Sequence, residues 1–222
     1  MTIKLQDARS IMLFRFHDNP EQARERIKIL KHFNPSLPIH VLFGGKKAYI
    51  EDCKKHTEDL VESFWHFDQS ATPHWKWLHG DLLHKAWYRD FGHSLDFDFL
   101  FSYEYDLLIL APLLELYPNI SEDTLALAAC EPFTNKIEQS WSWTTEQLPR
   151  SNFLKFCEYM NKTYGIKRQE KVCLGPGSLF PKTFLEAFSK TEDVMLVHEE
   201  LAYPAYAEAL GFKMVDHGMH PG

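Results

Sequence analysis

This chain predicts an open α/β sheet, mostly parallel and covered by helices on both faces. Three observations carry that reading. Short apolar runs of strand length alternate with amphipathic stretches of helical period over nearly the whole chain. The first three elements run strand, helix, strand, the order of a parallel unit with a right-handed crossover. No linker, internal repeat or low-complexity tract interrupts the 222 residues, so the expectation is one domain over 1–222.

The elements follow in order. "SIMLFRF" (10–16) is a buried first strand. In "HDNP", Asn19 caps a helix, Pro20 suits its first position and Gln22 completes a capping-box-like spacing. Ala23, Ile27 and Leu30 then share one face, and "NPSLP" ends the helix at 34–38. "IHVLFGG" (39–45) is a second strand, 46–62 is helical in its middle, and "SFWHFDQ" is a third strand ending near Asp68. Residues 71–79, "ATPHWKWLH", read as a tryptophan-rich loop. "DLLHKAWYRDFG" is a helix closed by Gly92. "FLFSYEYDLLILAPL" (99–113) carries the fourth strand, "APLLELYPN" a short helix or turn, and "DTLALAACEPF" a fifth strand. An irregular excursion near 133–150 holds Trp141 and Trp143. A helix follows with Ser151 or Asn152 as cap and Gly165 beyond its end. "KVCLGPGSLF" is a strand and a glycine-proline loop, Pro181 opens a short helix, and "LAYPAYAEALG" and "FKMVDHG" close the chain as helix and strand.

Composition narrows the function classes. The net charge is −7 and there is no Lys/Arg run, which sets nucleic-acid binding aside. The four cysteines are scattered without a CxxC pair, as expected for reduced, mostly buried thiols in a cytoplasmic protein. No stretch reaches the roughly 18 uninterrupted apolar residues of a membrane span. Trp75, Trp77, Trp141 and Trp143 lie in stretches read as irregular; partial burial is expected for at least two, with stacking on a sugar the alternative.

Two acidic pairs flank the strand core "FLFSY": Asp96/Asp98 before it and Glu104/Asp106 after it. An extended chain separates Asp98 from Asp106 by about 25 Å, so the pairs serve different places. Ligands of open α/β sheets bind outside the carboxyl ends of the strands. That selects Glu104 and Asp106, although Asp96-Phe97-Asp98 is the literal D-x-D. Buried carboxylates need water, a counter-charge or a metal.

The order of "IMLFRFHDNPEQARERIKILKHF", "LPIHVLFGG", "FDFLFSYEYDLLIL", "GPGSLFPKTFLEAF" and "VHEELAYPAYAEALGFKMVDHG", from about residue 10 to 217, resembles the GT-A (Rossmann-like) fold of nucleotide-sugar glycosyltransferases. The resemblance implies a metal-dependent enzyme that moves a sugar from a UDP- or GDP-linked donor to a saccharide or other hydroxyl acceptor. By it, Asp106 is the direct ligand of Mn²⁺ or Mg²⁺. Glu104 binds the ion through water or meets a donor hydroxyl, with the departure that aspartate is commoner there. Phe16 and His17 meet the nucleotide and Asp68 its base or ribose. His217 is a further metal ligand, with His220 its rival. Glu199 or Glu200 activates the acceptor hydroxyl in an inverting reaction; a retaining one needs no such base. Gly175, Pro176 and Gly177 let backbone approach a sugar, or form a plain turn. Two alternatives stay open. One is a nucleotidyltransferase, against which "FRFHDNP" offers no glycine-rich loop. The other is a nucleotide-binding protein of the same fold without catalysis.

Overall fold

Side chains alternate across a strand, so the first strand assigns the layers. Ile11 and Leu13 join one apolar cluster, while Met12, Phe14 and Phe16 join the other. The computed structural model describes residues 3–67 and 72–218. Its strands are β1 (Ser10–Phe16), β2 (Ile39–Phe43), β3 (Ser63–His66), β4 (Phe99–Glu104), β5 (Thr124–Pro132), β6 (Lys171–Pro181) and β7 (Lys213–Asp216). They form one sheet in the order β3-β2-β1-β4-β6-β5-β7. Neighbours are parallel except for β6, which is antiparallel to both β4 and β5.

The described helices are α1 (Pro20–Phe33), α2 (Ile50–Thr57), α3 (Pro73–Leu78), α4 (Gly80–Asp90), α5 (Leu113–Leu116), α6 (Asn135–Ser140), α7 (Ser142–Thr145), α8 (Gln147–Tyr164), α9 (Lys182–Ser189) and α10 (Glu199–Ala209). α1, α2 and α5 cover the Met12/Phe14 face through residues such as Ile27, Cys53 and Leu113. α4, α8, α9 and α10 cover the other face through Trp87, Phe156, Phe184 and Tyr203. The expected class, a mostly parallel α/β sheet with helices on both faces, is the class observed. The predicted caps also form: the Asn19 side chain accepts from the Gln22 N–H at 3.2 Å, and Gly165 takes φ +77° past the end of α8. The four cysteines are unpaired, with Cys53 and Cys173 buried. No helix among the described residues is long and apolar enough to cross a membrane.

Five expectations are corrected. Residues 73–78 are helical, not a loop; Thr72 caps α3 by accepting from the Trp75 N–H at 3.1 Å. The excursion near 133–150 is α6, α7 and the start of α8, the first two too short to show a helical period in sequence. α8 therefore begins four residues before Ser151, with Pro149 in its first turn, where an N–H has no intrahelical acceptor. Gly92 does not close α4 in a left-handed conformation; Phe91 is the cap, and a Cβ on Gly92 would lie 2.6 Å from the Trp87 ring. The Gly175-Pro176-Gly177 segment is no loop either. β6 runs through it, with Gly177 at φ +75° and register shifts against β5 beside Ala129 at φ +44°.

Candidate active site

The carboxyl ends of β1, β2 and β4 meet on one edge of the sheet. There they enclose a cavity of about 350 Å³. β1 contributes Arg15, Phe16 and the following His17; Gly44 follows β2; Glu104, Tyr105 and Asp106 end β4. α3 closes it from above with His74, Lys76 and Trp77. Glu104 is the last residue of β4, and Asp106 lies exposed in the turn after it. Asp96 and Asp98 sit at the opposite end of the strand, both paired with Arg9. The carboxyl-end pair is therefore the one that reaches a cavity.

Arg15 organises the charge. It sits in an apolar strand at 9% exposure, and its Nη1 donates to both Glu199 oxygens at 2.9 and 3.2 Å. Its Nη2 lies 3.3 Å from Glu104 Oε1. Burial alone would lower the proton affinity of the guanidinium, but the Glu199 and Glu104 carboxylates outweigh it and hold it raised. Burial raises the pKa of Glu104, and Arg15 offsets part of that rise. Glu199 also accepts from the Tyr203 hydroxyl at 3.3 Å; Tyr203 in turn bonds His84 at 2.8 Å, and His84 bonds Ser102 at 2.8 Å. The backbone leaves room for this cluster only because of glycine. A Cβ on Gly80 would lie 2.0 Å from Glu199 Oε2, and one on Gly175 2.8 Å from Oε1.

The other named residues divide. Phe16, His17, Glu104 and Asp106 are brought together at the cavity. His17 packs edge-on to Tyr105 at 5.1 Å and approaches Asp18 at 3.4 Å. Glu199 and Glu200, at the start of α10, do not line the cavity; Glu199 reaches it through Arg15. Glu200 accepts from Trp143 Nε1 at 2.8 Å and from the Gly175 N–H at 3.1 Å, and burial pushes its carboxyl up to about 7. His217 follows β7, buried at 6% exposure against the Tyr117 ring, and does not line the cavity. Asp68 and His220 lie outside the described residues. Trp75, Trp141 and Trp143 are partly buried against the core, as expected, whereas Trp77 is 51% exposed.

The residues present fit a divalent ion in part. Asp106 is exposed at the cavity and the Glu104 side chain is 28% exposed, so two hard carboxylates stand two residues apart. Mg²⁺-like ions are commonly held by one or two carboxylates with substrate phosphates completing the shell. Among the described residues no cluster of three or more His, Cys, Asp or Glu is poised to hold a metal.

Sequence reasoning missed Arg15, His74 and Lys76 as residues of the cavity. Arg15 was visible as a lone charge inside "IMLFRF". His74 and Lys76 became relevant only once Thr72-Pro73 was read as a helix start; Lys76 Nζ donates to the Gly45 carbonyl at 3.1 Å, and burial lowers its pKa.

No protein-family model matches the chain, and no curated protein matches it. Among solved structures it is similar to an active-site mutant of LgtC studied by crystal structural analysis. The identity is 12%, the TM-score 0.48, and the match covers 92% of this chain and 71% of that one.

Proposed function

We propose that this chain is a metal-dependent glycosyltransferase acting on a nucleotide-diphosphate sugar. The observation that carries the reading is the cavity itself: it opens at the carboxyl edge of the parallel strands, where such sheets place ligands, and Glu104 and Asp106 stand on its wall. In this reading Phe16 and His17 flank the nucleotide. Asp106, with Glu104 beside it, holds Mn²⁺ or Mg²⁺, whose chemistry is to neutralise charge on the departing diphosphate. Arg15 fixes Glu104 and Glu199. Glu200, whose carboxyl burial raises to about 7, is bonded to Trp143 and the Gly175 amide and does not line the cavity, so this reading gives neither it nor Glu199 the acceptor's proton. The acceptor oxygen gains the anomeric carbon, the bond from that carbon to the diphosphate breaks, and the nucleoside diphosphate leaves, its departing oxygen taking up the acceptor's proton. His217 enters this reading only as a wall behind Gly177.

The test is release of nucleoside diphosphate from a panel of UDP- and GDP-sugars with hydroxyl acceptors, with Mn²⁺ and with chelator. Ion-dependent release supports the proposal. Nucleotide binding without turnover on any donor leaves a binding protein of the same fold, and turnover of a nucleoside triphosphate instead points to nucleotidyl transfer.

A further inference from the structure

A second cavity, about 340 Å³, lies on the far side of Trp77. His74 and Trp77 line both cavities, so the two are neighbours across one indole. The walls differ in kind. The first holds Arg15, Lys76 and two carboxylates. The second holds the indoles of Trp77 and Trp143, aliphatic Leu148, and the neutral polar groups of Ser142 and Asn152. Among the described residues no lysine or arginine lines it, and Glu146 is its one carboxylate. An anionic ligand finds nothing there to meet it.

His198 adds a directional group. It lines this cavity at 6% exposure, its ring stacked on Trp143 at 4.4 Å and 8°. Its Nδ1 accepts from the Glu200 N–H at 3.3 Å, and burial holds its pKa down to about 3. The ring is therefore neutral with its proton on Nε2, and Nε2 has no hydrogen-bond partner among the described residues. A buried donor without a partner is costly unless something completes it.

We infer that this second cavity is the acceptor subsite and takes a neutral pyranoside, its C–H face on the exposed indole of Trp77 and its hydroxyls toward Asn152, Ser142 and the His198 imidazole. An indole face with neutral hydrogen-bonding groups around it suits a ring that is apolar on one side and hydroxylated at its edge. The role as acceptor rests on the glycosyltransferase reading; the sugar subsite does not.

The experiment is ligand-observed NMR titration of the full chain with methyl β-D-glucopyranoside, methyl β-D-galactopyranoside and methyl β-D-glucuronide, with UDP or GDP and Mn²⁺ present. The wild type is expected to bind a neutral pyranoside more tightly than the glucuronide. Trp77→Ala and Leu148→Asp should each weaken that binding roughly tenfold, and Trp77→Phe by less. Leu148 is 70% exposed and lines only the second cavity, so Leu148→Asp should fold and leave nucleotide affinity unchanged. Absence of pyranoside binding in the wild type, or binding that survives both Trp77→Ala and Leu148→Asp, overturns the inference. Pyranoside binding lost in those variants while no nucleotide binds at all supports the subsite and sinks the glycosyltransferase reading instead.

Discussion

Replacing Arg15 by methionine tests the charge cluster under the cavity. Glu199 is 2% exposed, and its two oxygens accept from Arg15 at 2.9 and 3.2 Å. Without the guanidinium, Glu199 keeps one bond, from the Tyr203 hydroxyl at 3.3 Å, and is otherwise an uncompensated buried charge. Removing one partner of such a pair costs about 3–5 kcal/mol, a large share of the roughly 5–15 kcal/mol that holds a domain together. At about 2–4 °C per kcal/mol for a chain of this length, Arg15→Met should lower Tm by roughly 6–20 °C. Urea unfolding followed by circular dichroism reads the same loss as a lower midpoint at unchanged slope. The double variant Arg15→Met/Glu199→Leu should recover most of it, because apolar residues replace buried ion pairs at little net cost. Glu104, at 28% side-chain exposure, turns to water and adds little. A loss under about 1 kcal/mol, or a double variant as unstable as the sum of its singles, would refute the view that Arg15 and Glu199 stabilise each other.

Gly80→Ala reverses a usual sign. Alanine ordinarily stabilises a helix position by about 1 kcal/mol over glycine. Here the new Cβ would lie 2.0 Å from Glu199 Oε2 and 2.2 Å from Arg15 Nη2, so the variant should lose about 2 kcal/mol or more, and a higher midpoint in urea contradicts the packing described. Glu200 sets a pH dependence. Its folded pKa, near 7, is raised from 4.5, so the stability it contributes is full below about 4.5 and is lost as pH rises through 7. Glu200→Gln should flatten thermal stability between pH 5 and 8 by an amount on the order of 1–3 kcal/mol, and a slope equal to that of the wild type rules out the assignment. Trp143→Phe removes the indole N–H that Glu200 accepts at 2.8 Å. The loss of stability with rising pH should then extend to a higher apparent pKa, which the same melts detect.

Much of the fold was legible because it is local. The apolar run from Ile11 to Phe16, the Asn19-Pro20 start of α1 and Gly165 at the end of α8 are all short-range signals, and each formed as read. The six- and four-residue helices α6 and α7 left no period to detect. β6 was broken in the reading because glycine and proline usually interrupt strands; here a bulged, antiparallel pairing tolerates them. At the site, the choice of Glu104 and Asp106 over Asp96 and Asp98 needed only the direction of one strand. The partner of Arg15 was out of reach, since Glu199 lies 184 residues away and only the packing of α10 brings it in. The same distance hides the split between Glu199, held in an ion pair, and Glu200, held by an indole and a backbone amide.

Calorimetric titration of UDP and GDP into the chain, with Mn²⁺ and with chelator, in the wild type and in Asp106→Asn, bears most directly on the central claim. Binding of one nucleotide that requires the ion and weakens by more than roughly tenfold, or about 1.4 kcal/mol, in Asp106→Asn is the predicted result. Binding indifferent to both the ion and the substitution, or no binding of either nucleotide, contradicts it.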